Sequence, residues 1–215
     1  MKSLYASLLL LLSLPASALT VSPMAQTLDQ SASTGTLRIK SDEATTLRYQ
    51  VMVDAWTVGP NGEKVMTPST NLAFYPATVI TLGPGKIQTL RWKRTGSMPG
   101  KQQVYFITVK PLDPPTTKAV INGASVLIGK QMGMAWTFTS PGLAPVLSAK
   151  REGANLVFHN AGNASARLSD IRYGGSVVSN LQLVLPGETL KLPVKASAST
   201  VDFVMKDAPH SLPVE

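Results

Sequence analysis

Residues 119–138 read AVINGASVLIGKQMGMAWTF, and most of the even positions in this stretch are apolar. A period of two is typical of a half-buried β-strand, because successive side chains point to opposite faces. As a single strand, the stretch would extend for about 65 Å at about 3.3 Å per residue, several times the usual strand length. We therefore expect it either to bend at Gly129 or Gly133 or to hold part of an edge for a partner chain.

The first eighteen residues have the three parts of a secretory signal. Lys2 supplies a positive charge, residues 8–14 are apolar, and Ala16-Ser17-Ala18 matches the A-x-A cleavage pattern. The apolar part is about half of the roughly 20 residues that a membrane-spanning helix needs. We interpret residues 1–18 as a cleaved signal peptide rather than a retained anchor, and we expect the protein to be exported.

The remaining sequence indicates an all-β protein. Short alternating runs are separated by turn signals such as Asn61-Gly62 and Pro84-Gly85, and there are sixteen Gly and sixteen Pro residues. This pattern is typical of β-sandwiches. We predict an N-terminal domain over 19–140, a linker at 141–145 and a smaller C-terminal β-domain over 146–215. With no cysteine, disulfides cannot stabilise either domain.

Composition and motifs argue against several classes of function. The net charge is +8, but the basic residues are scattered, and an exported protein is not expected to bind nucleic acid. The sequence lacks a cysteine nucleophile and a G-x-S-x-G motif, and His159 and His210 fit no metal-binding spacing. We therefore expect no enzyme activity, no metal, no cofactor and no small-molecule substrate.

A series of short segments resembles the PapD-like periplasmic chaperones of the chaperone–usher pilus pathway, over nearly all of the chain after residue 18. The segments are LTVSP at 19–23, LRIK at 37–40, YQVMV at 49–53, FYP at 74–76, LGPG at 82–85, QTLRW at 88–92, VYF at 104–106, LVFHN at 156–160 and LPG at 185–187. The resemblance implies two immunoglobulin-like sandwiches in a boomerang arrangement. It also implies a periplasmic protein that binds and stabilises pilus subunits and delivers them to an outer-membrane usher.

In that family, the last strand of the first domain is lent to an incomplete subunit, in donor-strand complementation. The resemblance therefore implies that Ala124, Val126 and Ile128 are the side chains inserted into the subunit. Alternatively, this face is the domain's own core, and Ile121 and Leu127 on the other face are inserted. Because an unpaired apolar edge favours association, the free protein is also expected to self-associate.

The family also holds the C-terminal carboxylate of the subunit with two basic side chains in the cleft between the domains. This chain departs from that pattern, because residues 19–28 contain no Lys or Arg and Trp136 stands near the usual position of the lysine. We expect Arg91 and Lys130 to replace the anchor, with Arg91 pointing toward the cleft. Charge-assisted hydrogen bonds to a carboxylate are about twice as strong as neutral ones.

Two further departures concern the contact between the domains. Gln102 replaces an acidic residue expected there, and Ser140 stands where an arginine is common in the family. Together these departures indicate a divergent branch. The alternative function is an extracytoplasmic immunoglobulin-like binding or structural module, such as a pilus component or adhesin, that keeps its long strand for itself.

Overall fold

The computed structural model describes residues 19–97, 100–113, 117–121, 124–128 and 131–215, with 117–121 and 124–128 described by their backbone. The predicted signal peptide, 1–18, lies outside these ranges. Over the described ranges the chain forms nineteen β-strands and no helix. Accordingly, none of the described segments is a helix long and apolar enough to cross a membrane.

The first twelve strands build a sandwich of two sheets and a separate hairpin. They are β1 (Leu19–Ser22), β2 (Ala25–Asp29), β3 (Thr34–Ser41), β4 (Leu47–Val58), β5 (Lys64–Pro68), β6 (Leu72–Tyr75), β7 (Val79–Leu82), β8 (Ile87–Arg94), β9 (Gln103–Pro111), β10 (Thr117–Ile121), β11 (Ala124–Ile128) and β12 (Met132–Thr139). One sheet has the order β1-β3-β8-β6. The other has the order β2-β12-β9-β4-β5, with β7 also paired to β4. β10 and β11 form the two-stranded hairpin.

Alternation along the strands builds the core of this first sandwich. On β8, Leu90 and Trp92 are buried while their neighbours in the strand are more exposed. On β12, Trp136 and Phe138 are fully buried, and the Trp92 ring lies 5.8 Å from each of theirs, measured between centroids. Burying side chains of this size is a main source of stability in a protein without disulfides.

Pro23 lies between β1 and β2, where the chain crosses from one sheet to the other. β1 pairs with β3 in an antiparallel arrangement, whereas β2 pairs with β12 in a parallel one. Proline has no backbone N–H to donate to a sheet, so a break in the ladder at this position is expected. Residues 19–29 therefore form two strands in two sheets.

The chain does not form one strand over 119–138; Gly133, one of the two predicted bends, lies within β12, and Gly129, the other, lies outside the described residues. The chain instead forms β10, reverses into β11 and then enters the sandwich as β12. Residues 122–123 and 129–130 between these strands lie outside the described part. A period of two fixes which residues share a face, but a short strand and a long one have the same period.

The last seven strands build a second, smaller sandwich. They are β13 (Leu147–Glu152), β14 (Asn155–Asn160), β15 (Ala166–Tyr173), β16 (Ser176–Val184), β17 (Thr189–Pro193), β18 (Thr200–Met205) and β19 (Ala208–Pro213). One sheet has the order β13-β14-β17 and the other the order β16-β15-β18-β19. Its core is separate from that of the first sandwich and includes Leu156, Phe158, Leu168 and Phe203. The linker bounds, 141–145, stay a prediction.

β19 is a strand that the sequence pattern did not predict. It forms a hairpin with β18 through the two-residue turn Lys206-Asp207, in which both residues have positive φ, 53° and 60°. Such turns usually contain Asn or Gly, and Pro209 lowers the strand propensity of the following segment. The Asn61-Gly62 turn, in contrast, lies between β4 and β5 as predicted, with Gly62 at φ 83°.

Candidate functional site

The β10–β11 hairpin lies outside both sheets of the first sandwich. Its strands are antiparallel, with register partners running from Thr117↔Ile128 to Ile121↔Ala124. Within the described part of the chain, β11 pairs with β10 and with no other strand. One edge of β11 therefore presents backbone N–H and C=O groups that a further strand can use.

The register assigns the residues of the hairpin to two faces, because directly opposite residues of an antiparallel pair share a face. One face combines β11 residues Ala124, Val126 and Ile128 with β10 residues Thr117, Ala119 and Ile121. The other combines Lys118, Val120, Ser125 and Leu127. The first face is the more apolar.

This register corrects the alternative in which Ile121 and Leu127 act together. That alternative treats 119–138 as one strand, in which both positions are odd. Since the chain reverses between Ile121 and Ala124, Ile121 joins the face of Ala124, and Leu127 lies on the opposite face. The pairing does not itself identify which face enters a subunit.

β12, unlike β11, is fully occupied. It pairs with β9 along one edge and with β2 along the other. Met134, Trp136 and Phe138 are part of the sandwich core. On β12 the even-numbered face is therefore the domain's own core, and Trp136, near the family's lysine position, is fully buried.

The two predicted anchor residues fall in different places. Lys130 lies outside the described residues. Arg91 is exposed on β8, on the outer face of its sheet, and lines a depression of about 450 Å³ together with Thr34, Thr36, Tyr75 and Lys93. Arg91 is not among the residues that line the groove between the two sandwiches described below, and its role as an anchor stays a prediction. Its side chain follows the odd-numbered face of β8, which points away from the core.

A groove of about 540 Å³, here called the inter-sandwich groove, separates the two sandwiches. The first sandwich contributes Ala25, Gln26, Thr27, Trp56, Gln102, Ala135 and Thr137. The second contributes Ser165, Arg167, Leu181, Gln182 and Leu183. None of these twelve lining residues is acidic, and Arg167 is the one charged residue among them. β2 and β12, which pair side by side, form one wall with their outward faces.

Three buried polar atoms without hydrogen-bond partners belong to residues that line this groove: Gln26 Nε2, Trp56 Nε1 and Ser165 Oγ. An amide nitrogen and an indole nitrogen can only donate, and a hydroxyl can donate or accept. Leaving such a group buried and unpaired costs about 1–3 kcal/mol. These three atoms are themselves shielded from solvent, so the exposed Arg167 guanidinium is the charged donor that the groove offers to a ligand with acceptor oxygens.

Gln102 connects the two sandwiches at the edge of the groove. Its backbone N–H donates to Asn163 O at 2.8 Å, and its side-chain Oε1 accepts from the Ser165 N–H. A neutral amide thus makes the inter-domain contact at the position where an acidic residue was expected. Ser140 makes no such contact through its hydroxyl, which instead donates to Gln30 Oε1 at 2.7 Å within the first sandwich.

Apart from Gln102, sequence reasoning missed the groove residues because their importance depends on how the two sandwiches meet. Trp56, Gln26 and Arg167 belong to ordinary alternating strands, and no motif distinguishes them. No cluster of three or more His, Asp or Glu residues in the described ranges is placed to hold a metal ion. The described geometry therefore offers two main chemical features: strand pairing at the edge of β11, and hydrogen-bond donation from Arg167 in the inter-sandwich groove.

No family model matches the chain, and no curated protein matches it in sequence. Solved structures do match its fold. The chaperone–tip adhesion subunit complex CsuC–CsuE, from archaic chaperone–usher Csu pili of Acinetobacter baumannii, matches with a TM-score of 0.71 at 16% identity, covering 92% of this chain and 98% of that chain.

Two other structures extend this result. The E. coli chaperone DraB matches with a TM-score of 0.62 at 18% identity, covering 93% of this chain and 96% of that chain. The complex of Salmonella enterica SafA pilin with the SafB chaperone matches with a TM-score of 0.64 at 14% identity, covering 91% and 96%. The predicted fold class, all-β with two immunoglobulin-like sandwiches, is confirmed, and the chain has the fold of the PapD-like pilus chaperones.

Proposed function

We propose that this protein is a periplasmic, non-enzymatic chaperone that binds incomplete pilus subunits and delivers them to an outer-membrane usher. The observation that carries the proposal is the β10–β11 hairpin, whose second strand has one edge without a partner strand among the described residues and one predominantly apolar face. The solved structures of the same fold support it, since they are a pilus chaperone and complexes of chaperones with a pilin or a tip adhesion subunit.

In donor-strand complementation, the free edge of a strand on the chaperone pairs with a subunit whose own sheet lacks a strand. The edge of β11 supplies main-chain hydrogen bonds to a subunit that lacks a strand, and alternate side chains fill the subunit's open core. We propose Ala124, Val126 and Ile128 as the inserted side chains. Their face of the hairpin also contains Ala119 and Ile121, whereas Lys118 and Ser125 lie on the opposite face.

Aspartate substitutions at neighbouring positions of β11 test this assignment. The protein is co-expressed with a pilus subunit of the chaperone–usher pathway, and the one-to-one complex is quantified after purification from the periplasm. Ile128→Asp should abolish the complex, because a carboxylate cannot enter an apolar subunit core without a large desolvation cost. Leu127→Asp is the matched control on the other face and should retain most of it. The reverse result would assign the insertion to the other face, and no complex with the unmodified protein would overturn the proposed function.

The carboxylate anchor remains a proposal for Arg91 and Lys130. Arg91 is exposed, lies beside Lys93, and has no acidic residue among the neighbours that line its depression. Lys130 follows β11 in sequence by two residues. The competing cation is Arg167, because it lies in the inter-sandwich groove with the three unpaired polar atoms.

Single alanine substitutions distinguish the anchor formed by Arg91 and Lys130 from the alternative anchor, Arg167. Arg91→Ala and Lys130→Ala should each lower the yield of subunit complex several-fold, and Arg167→Ala should leave it unchanged. If Arg167→Ala alone lowers the yield, the carboxylate is bound in the groove, and Arg91 and Lys130 are ordinary surface residues. Shortening the subunit by its last residue should abolish sensitivity to whichever cation is the anchor.

A further inference from the structure

The hairpin formed by β4 and β5 extends from the first sandwich to the second. At its turn, Gly62 O accepts a hydrogen bond from the Thr189 N–H at 2.7 Å. A Cβ atom added at Gly62 would lie 2.8 Å from Thr189 Oγ1, so the two chains approach too closely for a larger residue at this position. Gly62 also has a φ of 83°, which favours glycine.

Lys64, the first residue of β5, contacts both walls of the inter-sandwich groove. Its ammonium group lies 5.4 Å from the centroid of the Trp56 ring, on the wall formed by the first sandwich. The same group donates a hydrogen bond to the Leu183 carbonyl, on the wall formed by the second. Trp56 is itself held by the Phe106 ring, which is stacked on it at 5.8 Å between centroids.

The charge of Lys64 is balanced by Glu188 of the second sandwich. Glu188 is only 3% exposed, and its Oε1 lies 3.5 Å from Lys64 Nζ. Its other oxygen, Oε2, accepts from the Leu185 N–H at 2.7 Å. Burial raises the pKa of Glu188, whereas the Leu185 N–H and the Lys64 charge act in the opposite direction. Removing the partner cation of a buried carboxylate is strongly destabilising, because it leaves an uncompensated buried charge. This ion pair therefore resists separation of the two sandwiches.

We infer that Lys64 is a positioning residue that fixes the second sandwich against the first and thereby sets the width of the inter-sandwich groove. The contact on which this depends involves neither Gln102 nor Ser140, the two inter-domain positions at which the sequence departs from the family's pattern. The consequence for subunit binding rests on the proposed function. The fixed geometry itself does not, because it follows from the contacts of Lys64 with Trp56, Leu183 and Glu188.

The absence of cysteine from the sequence makes a direct distance measurement straightforward. Cysteines are introduced at two exposed positions, Thr89 in the first sandwich and Lys195 in the second, and each is spin-labelled. Pulsed electron paramagnetic resonance then measures the distance between the two labels. The doubly labelled protein with Lys64 intact should give one narrow distance distribution. Lys64→Met, which keeps the aliphatic stem and removes the charge, should broaden the distribution, and Lys64→Arg should restore it.

Lys191→Met is the matched control. Lys191 pairs with Glu152 at 3.3 Å, but both residues belong to the second sandwich, so its loss should leave the distribution narrow. The double variant Lys64→Met with Glu188→Gln removes the unpaired buried charge and guards against simple unfolding. It should regain thermal stability while the distribution stays broad. A narrow distribution in this folded double variant would overturn the inference.

The yield of co-purified subunit separates this inference from the proposed function. Lys64→Met should lower the yield several-fold, and Lys64→Arg should restore it. If the distance distribution broadens while the yield is unchanged, groove width does not control subunit binding, and that part of the inference is wrong. If the unmodified protein captures no subunit, the proposed function fails, and the distance distributions still decide the role of Lys64.

Discussion

β11 and β12 are successive strands rich in apolar residues, but within the described part of the chain β12 is hydrogen-bonded along both edges and β11 along one. The even-numbered residues of β12 pack in the core of the first sandwich beside Trp92. β11 lies in a two-stranded hairpin outside both sheets. An isolated two-stranded hairpin is only marginally stable in water. The comparison indicates that β12 serves the protein's own stability, whereas β11 is available to a partner.

The largest effect is expected from a substitution in the buried face of β12, which tests whether this strand stabilises the first sandwich. Trp136 is fully buried and its ring lies 5.8 Å from the ring of Trp92 and 6.1 Å from that of Phe74. Trp136→Ala should lower the free energy of unfolding of the first sandwich by about 3–5 kcal/mol, because it leaves a large cavity. Urea unfolding followed by tryptophan fluorescence measures the change. An unchanged midpoint would mean that β12 is not part of the core.

A substitution in β11 should instead affect subunit binding and leave the stability of the free protein nearly unchanged. Val126→Ala should change the free energy of unfolding by no more than about 0.5 kcal/mol, as for a surface position, yet lower the yield of subunit complex several-fold. Both quantities are measured on the same preparation. A loss of about 2 kcal/mol in the free protein would show that Val126 packs within its own sandwich, and the contrast between the strands would disappear.

A smaller effect is expected at Glu188, away from both strands. Because burial raises its pKa in the folded state, the folded protein binds this proton more tightly than the unfolded chain does. The contribution of Glu188 to stability is therefore largest at low pH. It declines as the pH rises from the unfolded value, near 4.5, through the raised folded value.

Glu188→Gln should remove this decline without affecting the hairpin. The measurement is urea unfolding of both proteins from pH 4 to pH 8, with hydrogen exchange of residues 124–128 as the control. The difference in unfolding free energy between wild type and variant should fall steadily with pH. A difference that rises with pH would mean that the Lys64 charge outweighs the cost of burial.

The smallest effect is expected at Asp113, the last described residue before β10. The Arg48 side chain donates to Asp113 Oδ1 at 2.7 Å, and this hydrogen bond, followed by one from the Arg48 backbone, lowers the pKa of Asp113. Its stabilising contribution is present above the unfolded value, near 3.8, and is lost as the pH falls through the lower folded value.

Asp113→Asn should therefore lower the urea midpoint only slightly at neutral pH. The change should shrink further at high salt, because the pair is exposed and screened. Hydrogen exchange should become faster in β10 and β11 and stay unchanged in β12, since the pair lies beside the segment that leads into the hairpin. Faster exchange in β12 as well would mean that the two strands are not independent.

Local patterns in the sequence predicted much of the fold, because they depend on near neighbours in the chain. Alternation predicted the strands, and Asn61-Gly62 predicted a turn that needs positive φ. The reversal between Ile121 and Ala124 was missed, although the sequence there is Asn122-Gly123, the same dipeptide as at the β4–β5 turn, because the alternation on both sides was interpreted as one strand. The turn at Lys206-Asp207 was missed because it contains neither Gly nor Asn, and Lys is an unusual residue at positive φ.

The candidate site was predictable in part, for a related reason. The sequence predicted a strand over Ala124, Val126 and Ile128, and a strand is present there. The inter-sandwich groove combines residues from β2, β4, β12, β15 and β16, which meet only when the two sandwiches pack together. Lys64 was missed for the same reason, since its contacts with Leu183 and Glu188 join strands that are distant in sequence.

The most direct test of the central claim is hydrogen exchange of the free protein and of its purified complex with a subunit. If β11 is the lent strand, the amides of residues 124–128 should exchange quickly in the free protein and become strongly protected in the complex. The amides of β12 should be protected in both. Unchanged exchange over 124–128 in a stable one-to-one complex would contradict the account, because the subunit would then be held by another surface.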